Sequence, residues 1–345
     1  MTSTATPLSN PLPLSELDTP ALLVDLDVLE RNLAHLANAA AAHQKLLRPH
    51  FKAHRMPEIC RRQVALGAHG ITCAKLGEAE VLGELGFDHL LIANEVVGPP
   101  KWRRLAKLAR RRRVTVAIDN FEVALATAQA AREEHSVVGF LIELNVGLNR
   151  CGVSTPEEAA ELAVRCAALP GLRFRGVMGY EGHVVLQPRE QKEVSVREAM
   201  GKLAEAAALC ERQGLEVKVV SAGGTGCWDL TLQQPRVTEL QCGTYSLMDL
   251  LFHEDAGSRQ FDYGCTVLTT VVSRPTPERA VVDAGKKGLH PSFGMSVAFD
   301  TAGVELTSLH SEHGILQLSE EARNLKVGDQ IRFIPYYLEG TINLY

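Results

Sequence analysis

Apolar residues recur along the chain in two rhythms. Short runs with little interruption have the length and composition of buried strands: ALLVDLD (21–27), LLRPHFK (46–52), GITCAK (70–75), LLIANE (90–95), VTVAIDN (114–120), FLIELNVG (140–147), RFRGVMGY (173–180), VKVVSAGG (217–224) and RVTELQCG (236–243). The stretches between them, such as DVLERNLAHLANAAAAH and FEVALATAQAAREEH, space their apolar residues near a period of 3.6 and predict helices, most of them closed by Gly or Pro. From residue 46 there are eight candidate strands, at 46–51, 70–73, 89–93, 114–118, 139–144, 173–178, 217–221 and 237–240. All but the last two are joined by helix-length connections. Eight such units is the number that closes a (β/α)8 barrel, although alternation alone also suits an open doubly wound sheet. Past residue 252 the helical period fades, and CTVLTTVVSRP, RAVVDAG, SVAFD, LTSLHSEHGILQLS and DQIRFIPYY read as strands. The expected architecture is α/β: a (β/α)8 barrel over 20–252, then a mainly β domain over 253–345 that can also take in 1–19. Residues 15–26 are free to join the β domain or to seal the barrel.

Composition narrows the picture by exclusion. With 345 residues, 46% of them apolar and 22% charged, the chain has the make-up of a soluble globular protein. A net charge of −5, from 36 Lys and Arg against 41 Asp and Glu, disfavours a nucleic-acid partner. The basic stretch 101–113 spaces Trp102, Leu105 and Leu108 as one face of an outer helix. Eight cysteines without a C-x-x-C pair read as reduced, buried thiols. Residues 1–14 lack the basic and apolar regions of a secretory signal and read as a flexible leader. No window reaches the ~18–20 apolar residues of a membrane span. The expected location is the cytoplasm, with neither membrane nor nucleic acid as partner. Asp27 is expected to cap the helix that follows it.

In a barrel, chemistry gathers where the strands' carboxyl ends converge. The polar residues at those positions include His50, Lys52 and His54; Asp119; Glu143 and Arg150; Tyr180, Glu181 and His183; Ser221; and Thr244. A lysine at a barrel mouth can form a Schiff base. The run Ser221-Ala-Gly223-Gly224-Thr225-Gly follows the seventh strand, where exposed backbone N–H groups and a hydroxyl are suited to phosphate. Gly243, Thr244 and Tyr245 make a similar loop at the eighth strand. An amine on one side of the mouth and a phosphate cradle on the other is the arrangement that pyridoxal 5′-phosphate requires.

At this point the chain resembles a family. The stretches LDTPALLVDLDVLERN, LRPHFKAHRMPEI, GITCAKLGEAEVL, LLIANEVVGPPK, IELNVGLNRCGV, FRGVMGYEGHV, VSAGGTG, TELQCGTYSLMD and SLHSEHG are similar to the fold-type III pyridoxal phosphate enzymes with an alanine racemase-like barrel, in the branch of D-threonine aldolases and D-serine dehydratases. The resemblance runs from residue 17 to near the end. It implies that Lys52 binds the cofactor, with His50 beside it; that Ser221, Gly223, Gly224, Thr225, Gly243, Thr244 and Tyr245 hold the phosphate; and that Arg150, Tyr180 and His183 lie near the cofactor ring. It also implies an amino acid, a small molecule, as substrate, and a homodimer.

One segment departs from the family pattern. The branch carries a divalent metal (Mn, Zn or Mg) on a His-x-Cys or His-x-Asp pair near the carboxyl terminus, and here those positions hold Tyr337 and Glu339. Tyrosine is a poor ligand for such metals, so the metal site is in doubt, with Glu339 the one usual ligand type left. His310 and His313 are candidate replacements, and Tyr337 a candidate acid or base. The leading reading is a lyase acting on a D-configured β-hydroxy amino acid, an aldolase ahead of a dehydratase. The alternatives are a metal-independent racemase or epimerase, and a non-catalytic pyridoxal phosphate-binding protein.

Overall fold

A computed structural model describes residues 12–345; most of the leader expected over 1–14 lies outside the described residues. The chain divides into two compact units, one formed by Asp27–Met248 with Phe252–Asp262, the other by the chain up to Leu26, Asp249–Leu251 and Tyr263–Tyr345.

In chain order the elements up to the end of the first unit are β1 (Ala21–Val24), α1 (Leu26–Ala42), β2 (Leu46–Leu47), α2 (Pro57–Ala65), β3 (Ile71–Cys73), α3 (Leu76–Glu84), β4 (Leu90–Glu95), α4 (Pro99–Ala109), β5 (Val114–Ile118), α5 (Phe121–Glu133), β6 (Val138–Glu143), α6 (Pro156–Ala167), β7 (Leu172–Met178), α7 (Arg189–Arg212), β8 (Val219–Ala222), α8 (Trp228–Leu232) and β9 (Glu239–Leu240). Strands β2 to β9 form one parallel sheet in the order β2-β9-β8-β7-β6-β5-β4-β3. A doubly wound sheet would reverse direction midway, and this one does not. Its two end strands meet through a parallel bridge between His50 and Thr72, supported by Thr72 N donating to Pro49 O at 2.9 Å. The eight strands are those the apolar runs predict, and the short last connection, from β8 to β9, carries only the five-residue α8.

Local chemistry explains where the helices start. The Asn120 side chain accepts from the N–H groups of Glu122 and Val123, and Thr155 and Glu158 form a reciprocal capping box. Helix α1 begins at Leu26, which corrects the assignment of Asp27: it lies in the first turn, where its charge still complements the helix dipole, rather than at the cap. On α4 the residues Leu105, Ala106 and Leu108 are buried, while Arg104 and Lys107 face outward against Glu80 and Glu134.

Inside the barrel, Leu91, Ala117, Leu141 and Met178 pack together. Next to them a charged pair replaces apolar filling. Arg48 donates through Nε to Glu239 Oε1 at 2.9 Å and through Nη2 to Oε2 at 3.0 Å, and both residues are buried. Ser221 Oγ donates to the same Oε1 at 2.8 Å. Burial by itself would raise the Glu239 carboxyl, but the charge and hydrogen bonds of Arg48, with the Ser221 hydroxyl, outweigh it and hold the group below its ordinary range.

The second unit is built on β10 (Cys265–Thr276), β11 (Arg279–Val282), β12 (Val297–Ala298), β13 (Val304–Leu309), β14 (Gly314–Leu318) and β15 (Gln330–Ile334). They run in the order β12-β15-β10-β11-β14-β13, with β1 paired antiparallel to β10 from Ala21 opposite Leu268 to Val24 opposite Cys265. Residues 21–24 thus add a strand to the β unit. Its core gathers Val267, Val271, Val282, Leu316, Ile331 and Phe333. Past residue 252 the helical pieces are short: a π turn at Leu251–Asp255, a 3-10 turn at Glu320–Ala322, and α9 (Leu338–Ile342), whose first N–H, that of Leu338, is taken by Asp249 Oδ2 at 2.9 Å. Among the described residues no helix is long and apolar enough to cross a membrane.

Replacing Arg48 by Met leaves Glu239 buried and unmatched, which costs about 3–5 kcal/mol for a buried pair. Urea unfolding should show that loss at pH 7. Because burial without Arg48 raises the Glu239 carboxyl in the variant, the deficit should already shrink as pH falls from 7 toward the ordinary carboxylate value near ~4, and shrink further below it as wild type loses its own paired carboxylate.

Candidate active site

Lys52 sits in a single 3-10 turn, Phe51–Ala53, directly after the seam where β2 meets β3 and β9. Two loops close on that turn. Gly243, at the end of β9, packs so tightly that a Cβ there would stand 2.9 Å from Ala53 Cβ and 2.9 Å from His50 O. The Gly223-Gly224-Thr225 loop after β8 is tied to the Gly243-Thr244-Tyr245 loop by a hydrogen bond from Tyr245 N to Thr225 Oγ1 at 3.1 Å. The two loops proposed to hold phosphate therefore form one continuous surface.

A buried carboxylate sets the shape of the first loop. Glu181 is fully buried and accepts from Gly223 N at 3.3 Å and Cys227 Sγ at 3.1 Å, and also from the Thr231 hydroxyl. Gly223 has φ +89°, a conformation glycine adopts freely. The Tyr180 ring lies against both glycine turns: a Cβ on Gly224 would be 2.8 Å from its Cε2, and one on Gly182 would be 2.5 Å from its Cε1.

The cations and imidazoles around Lys52 are arranged by burial. His50 is held well below the usual imidazole range, first by burial and then by the charges of Lys52, His54 and Arg150, so its ring is neutral. Its Nδ1 is buried without a hydrogen-bond partner. His54 is pushed down to about 3 by burial, and its Nδ1 accepts from the Met56 N–H at 3.1 Å. The Arg150 guanidinium stands 5.8 Å from the centre of the Tyr180 ring and 3.9 Å from Glu143 Oε1. His183 is exposed, and its ring borders Gly147, where a Cβ would come within 2.5 Å of Nε2.

Two predicted residues have other work for their side chains. The Ser221 hydroxyl is committed to Glu239 inside the barrel. The Tyr245 ring is buried, stacked edge-on to Phe261, with its hydroxyl accepting from Gln63 Nε2 at 3.2 Å, so only its backbone N–H faces the cradle. Thr244 is buried beside it.

One constellation escapes the strand-end pattern. Glu95, at the end of β4, is not among the candidates named above, and it pairs with Glu143 at the end of β6. Burial, then the charge and hydrogen bond of Glu95, push Glu143 up to about 8, against the pull of Arg150. Glu143 is therefore held toward its protonated form beside Glu95. A glutamate closing an apolar run is the available signal in the sequence, but its partner lies two strands away.

Tyr337 and Glu339 belong to the β unit. Tyr337 Oη donates to Glu339 Oε2 at 3.3 Å, and burial followed by the Glu339 charge pushes the phenol up to about 12. A phenol that holds its proton this firmly does not fit a divalent metal. His310 and His313 are exposed and close the β13–β14 turn, His310 N donating to His313 O at 2.8 Å. Among the described residues no three His, Cys, Asp or Glu side chains form a group able to hold a metal ion. The cofactor fit is different: a glycine cradle that a Cβ would fill and an unpartnered buried nitrogen both lie beside Lys52.

Comparison with known proteins agrees with this geometry. Residues 24–250 match the family model described as alanine racemase, N-terminal domain, and residues 264–345 match the serine dehydratase domain. A D-threonine aldolase of Arthrobacter sp is 36% identical over 336 residues, 96% of this chain and 89% of the relative. A 3-hydroxy-D-aspartate aldolase of Paracoccus denitrificans is 33% identical over 341 residues, 96% of this chain and 88% of the relative. The crystal structure of a D-threonine aldolase from Filomicrobium marinum superposes with a TM-score of 0.93 at 36% identity, covering 96% of this chain and 90% of that one. Fold and site together define an alanine racemase-like enzyme of the kind that works with pyridoxal phosphate. The chain belongs to that family, in its branch of D-threonine aldolases and D-serine dehydratases, and is a lyase of that type.

Two outcomes follow from the geometry. Gly224→Ala forces the Tyr180 ring or the loop to move, and equilibrium dialysis should show at least a tenfold weaker hold on pyridoxal phosphate. Glu143 binds a proton in the folded state that the unfolded chain releases near 4.5, so folding stability should fall between pH ~4.5 and ~8 and level off above. Thermal melts of Glu143→Gln should lose that slope.

Proposed function

We propose that this protein is a pyridoxal phosphate-dependent lyase that acts on a D-configured β-hydroxy amino acid, as a D-threonine aldolase-like or D-serine dehydratase-like enzyme. The observation that carries the reading is the joined pair of loops, linked through Tyr245 N and Thr225 Oγ1, packed by Gly243 against the turn that presents Lys52. The likeness to two named aldolases over nearly the whole chain favours retro-aldol cleavage, which yields glycine and an aldehyde.

In this reading Lys52 holds the cofactor and the glycine loops take its phosphate on backbone N–H groups. When bound, the cofactor supplies an electron sink that stabilises negative charge at the amino acid's Cα. The protein's own residues do the rest. Tyr180, backed by Gly182 and Gly224, gives a fixed face for a planar ring. Arg150 keeps a positive charge above Tyr180. His50 remains neutral between cations and offers Nδ1 as a hydrogen-bonding atom. His183, at the exposed rim, is a candidate to exchange a proton with the substrate's hydroxyl at a ring nitrogen.

The racemase alternative needs one group to take the Cα proton and another, Tyr337 or His183, to return one on the opposite face; a phenol pushed up to about 12 suits only the donating step, and it is the likeness to aldolases that favours the lyase. No step runs through a metal, since the Tyr337 and Glu339 pair does not suit one. An amino acid, a small molecule, as substrate, a homodimer and a cytoplasmic location remain part of the proposal, together with a barrel over 20–252 that carries the cofactor.

The test is to incubate the loaded enzyme separately with D-threonine, D-serine and D-alanine. Glycine with acetaldehyde from D-threonine is the expected product, abolished in Lys52→Ala. Keto acid and ammonia from D-serine would select the dehydratase. Inversion without cleavage, or no product from any of them, would reject the lyase.

A further inference from the structure

The candidate active site occupies the carboxyl ends of the strands; the opposite end of the same barrel is not sealed by apolar side chains. A cavity of about 320 Å³ opens there among the first residues of β5 to β9, at the lower edge of the ~300–1,000 Å³ typical of small-molecule pockets. Arg173 and Arg175 line it from β7. The strand is bulged here, with Phe140 opposite Phe174 and Leu141 opposite Gly176, so Arg175 is the extra residue, and both arginines reach the cavity. Barrel interiors at this level are ordinarily filled by branched apolar chains. Gly139 on the neighbouring β6 makes the room, since a Cβ there would stand 2.7 Å from Thr115 Oγ1 and 3.4 Å from Arg175 Cγ.

The charge at this end does not cancel. Of the four arginines lining the cavity, Arg48 is matched by Glu239 and Arg113 by Asp88, at 2.9 Å and 2.6 Å. Arg173 and Arg175 have no carboxylate partner among the described residues, which leaves two uncompensated cations. His69 and His89, with ring centres 4.4 Å apart, feel the same field: burial lowers both, and Arg48, Arg175 and Arg113 lower His69 further against the Glu239 charge. Paired guanidinium forks match the oxygens of a phosphate group. Leu91, Leu141 and Val219 supply an apolar wall for a compact carbon body.

We propose that this cavity is a second anion site, distinct from the cofactor cradle, and that it takes a small phosphate monoester gripped by Arg173 and Arg175. The inference does not rest on the lyase reading.

Calorimetric titration of the full, pyridoxal phosphate-loaded chain at low ionic strength tests it, with inorganic phosphate and glycerol 2-phosphate as probes and succinate as the carboxylate control. Saturable binding of glycerol 2-phosphate is expected, at least tenfold weaker in R173Q/R175Q, whose far-UV circular dichroism should match wild type. R175K, which keeps the charge and loses the fork, should fall between them. Only binding lost in the double variant counts, so the result reads out whether or not the cofactor cradle is filled. Equal binding by wild type and double variant, or no binding of either phosphate, overturns the proposal, and tighter binding of succinate overturns the phosphate assignment. Should the double variant fail to fold, unchanged affinity in R175K overturns it.

Discussion

The mouth of the barrel depends on one seam. Strand β2 has only two residues and cannot hold a sheet edge by its own ladder, so the ring closes there through a bridge, His50 to Thr72, and through Thr72 Oγ1 donating to Arg48 O at 2.7 Å. Arg48 in turn is fixed from within by Glu239 on β9. The same few residues thus join β2 to both neighbours. Lys52 follows immediately, in a turn whose position is inherited from that closure. A charged pair in a barrel interior contributes little net stability compared with apolar filling, but breaking it is costly, so it specifies the register of the seam.

The glycine loops extend this logic outward. Glu181, buried just beyond β7, gathers an N–H and a thiol from the loop after β8 and a hydroxyl from α8. Its carboxylate oxygens are thereby occupied with shaping backbone and are not left for chemistry. Tyr180, the residue before it, is held between two glycines whose missing Cβ atoms define its place. The arrangement leaves the neutral His50, the exposed His183 and Glu143, raised by burial and the neighbouring Glu95, among the groups around the mouth able to exchange protons.

Much of this was legible in the sequence, for a physical reason. A parallel barrel strand is buried on both faces, so it appears as an unbroken apolar run, and the polar residue that ends the run marks the mouth. That rule put Lys52, Arg150, Tyr180 and the glycine loops among the candidates, and the structure gathers them around the mouth. It could not say which way a side chain turns, so Ser221 and Tyr245 were grouped with the cradle although their side chains serve the barrel interior and the core. Nor could it pair residues across strands, and the coupling of Glu95 to Glu143, or of Arg48 to Glu239, needs three dimensions. Helix α9 escaped because its first N–H is held by Asp249, some ninety positions earlier.

The central claim is that the turn after the seam presents the lysine that carries the cofactor. Borohydride reduction of the loaded protein followed by peptide mass mapping tests it most directly. The account predicts a single phosphopyridoxyl group, on Lys52. A label on Lys75, Lys192 or any other lysine with Lys52 unmodified, or no label at all, would contradict it.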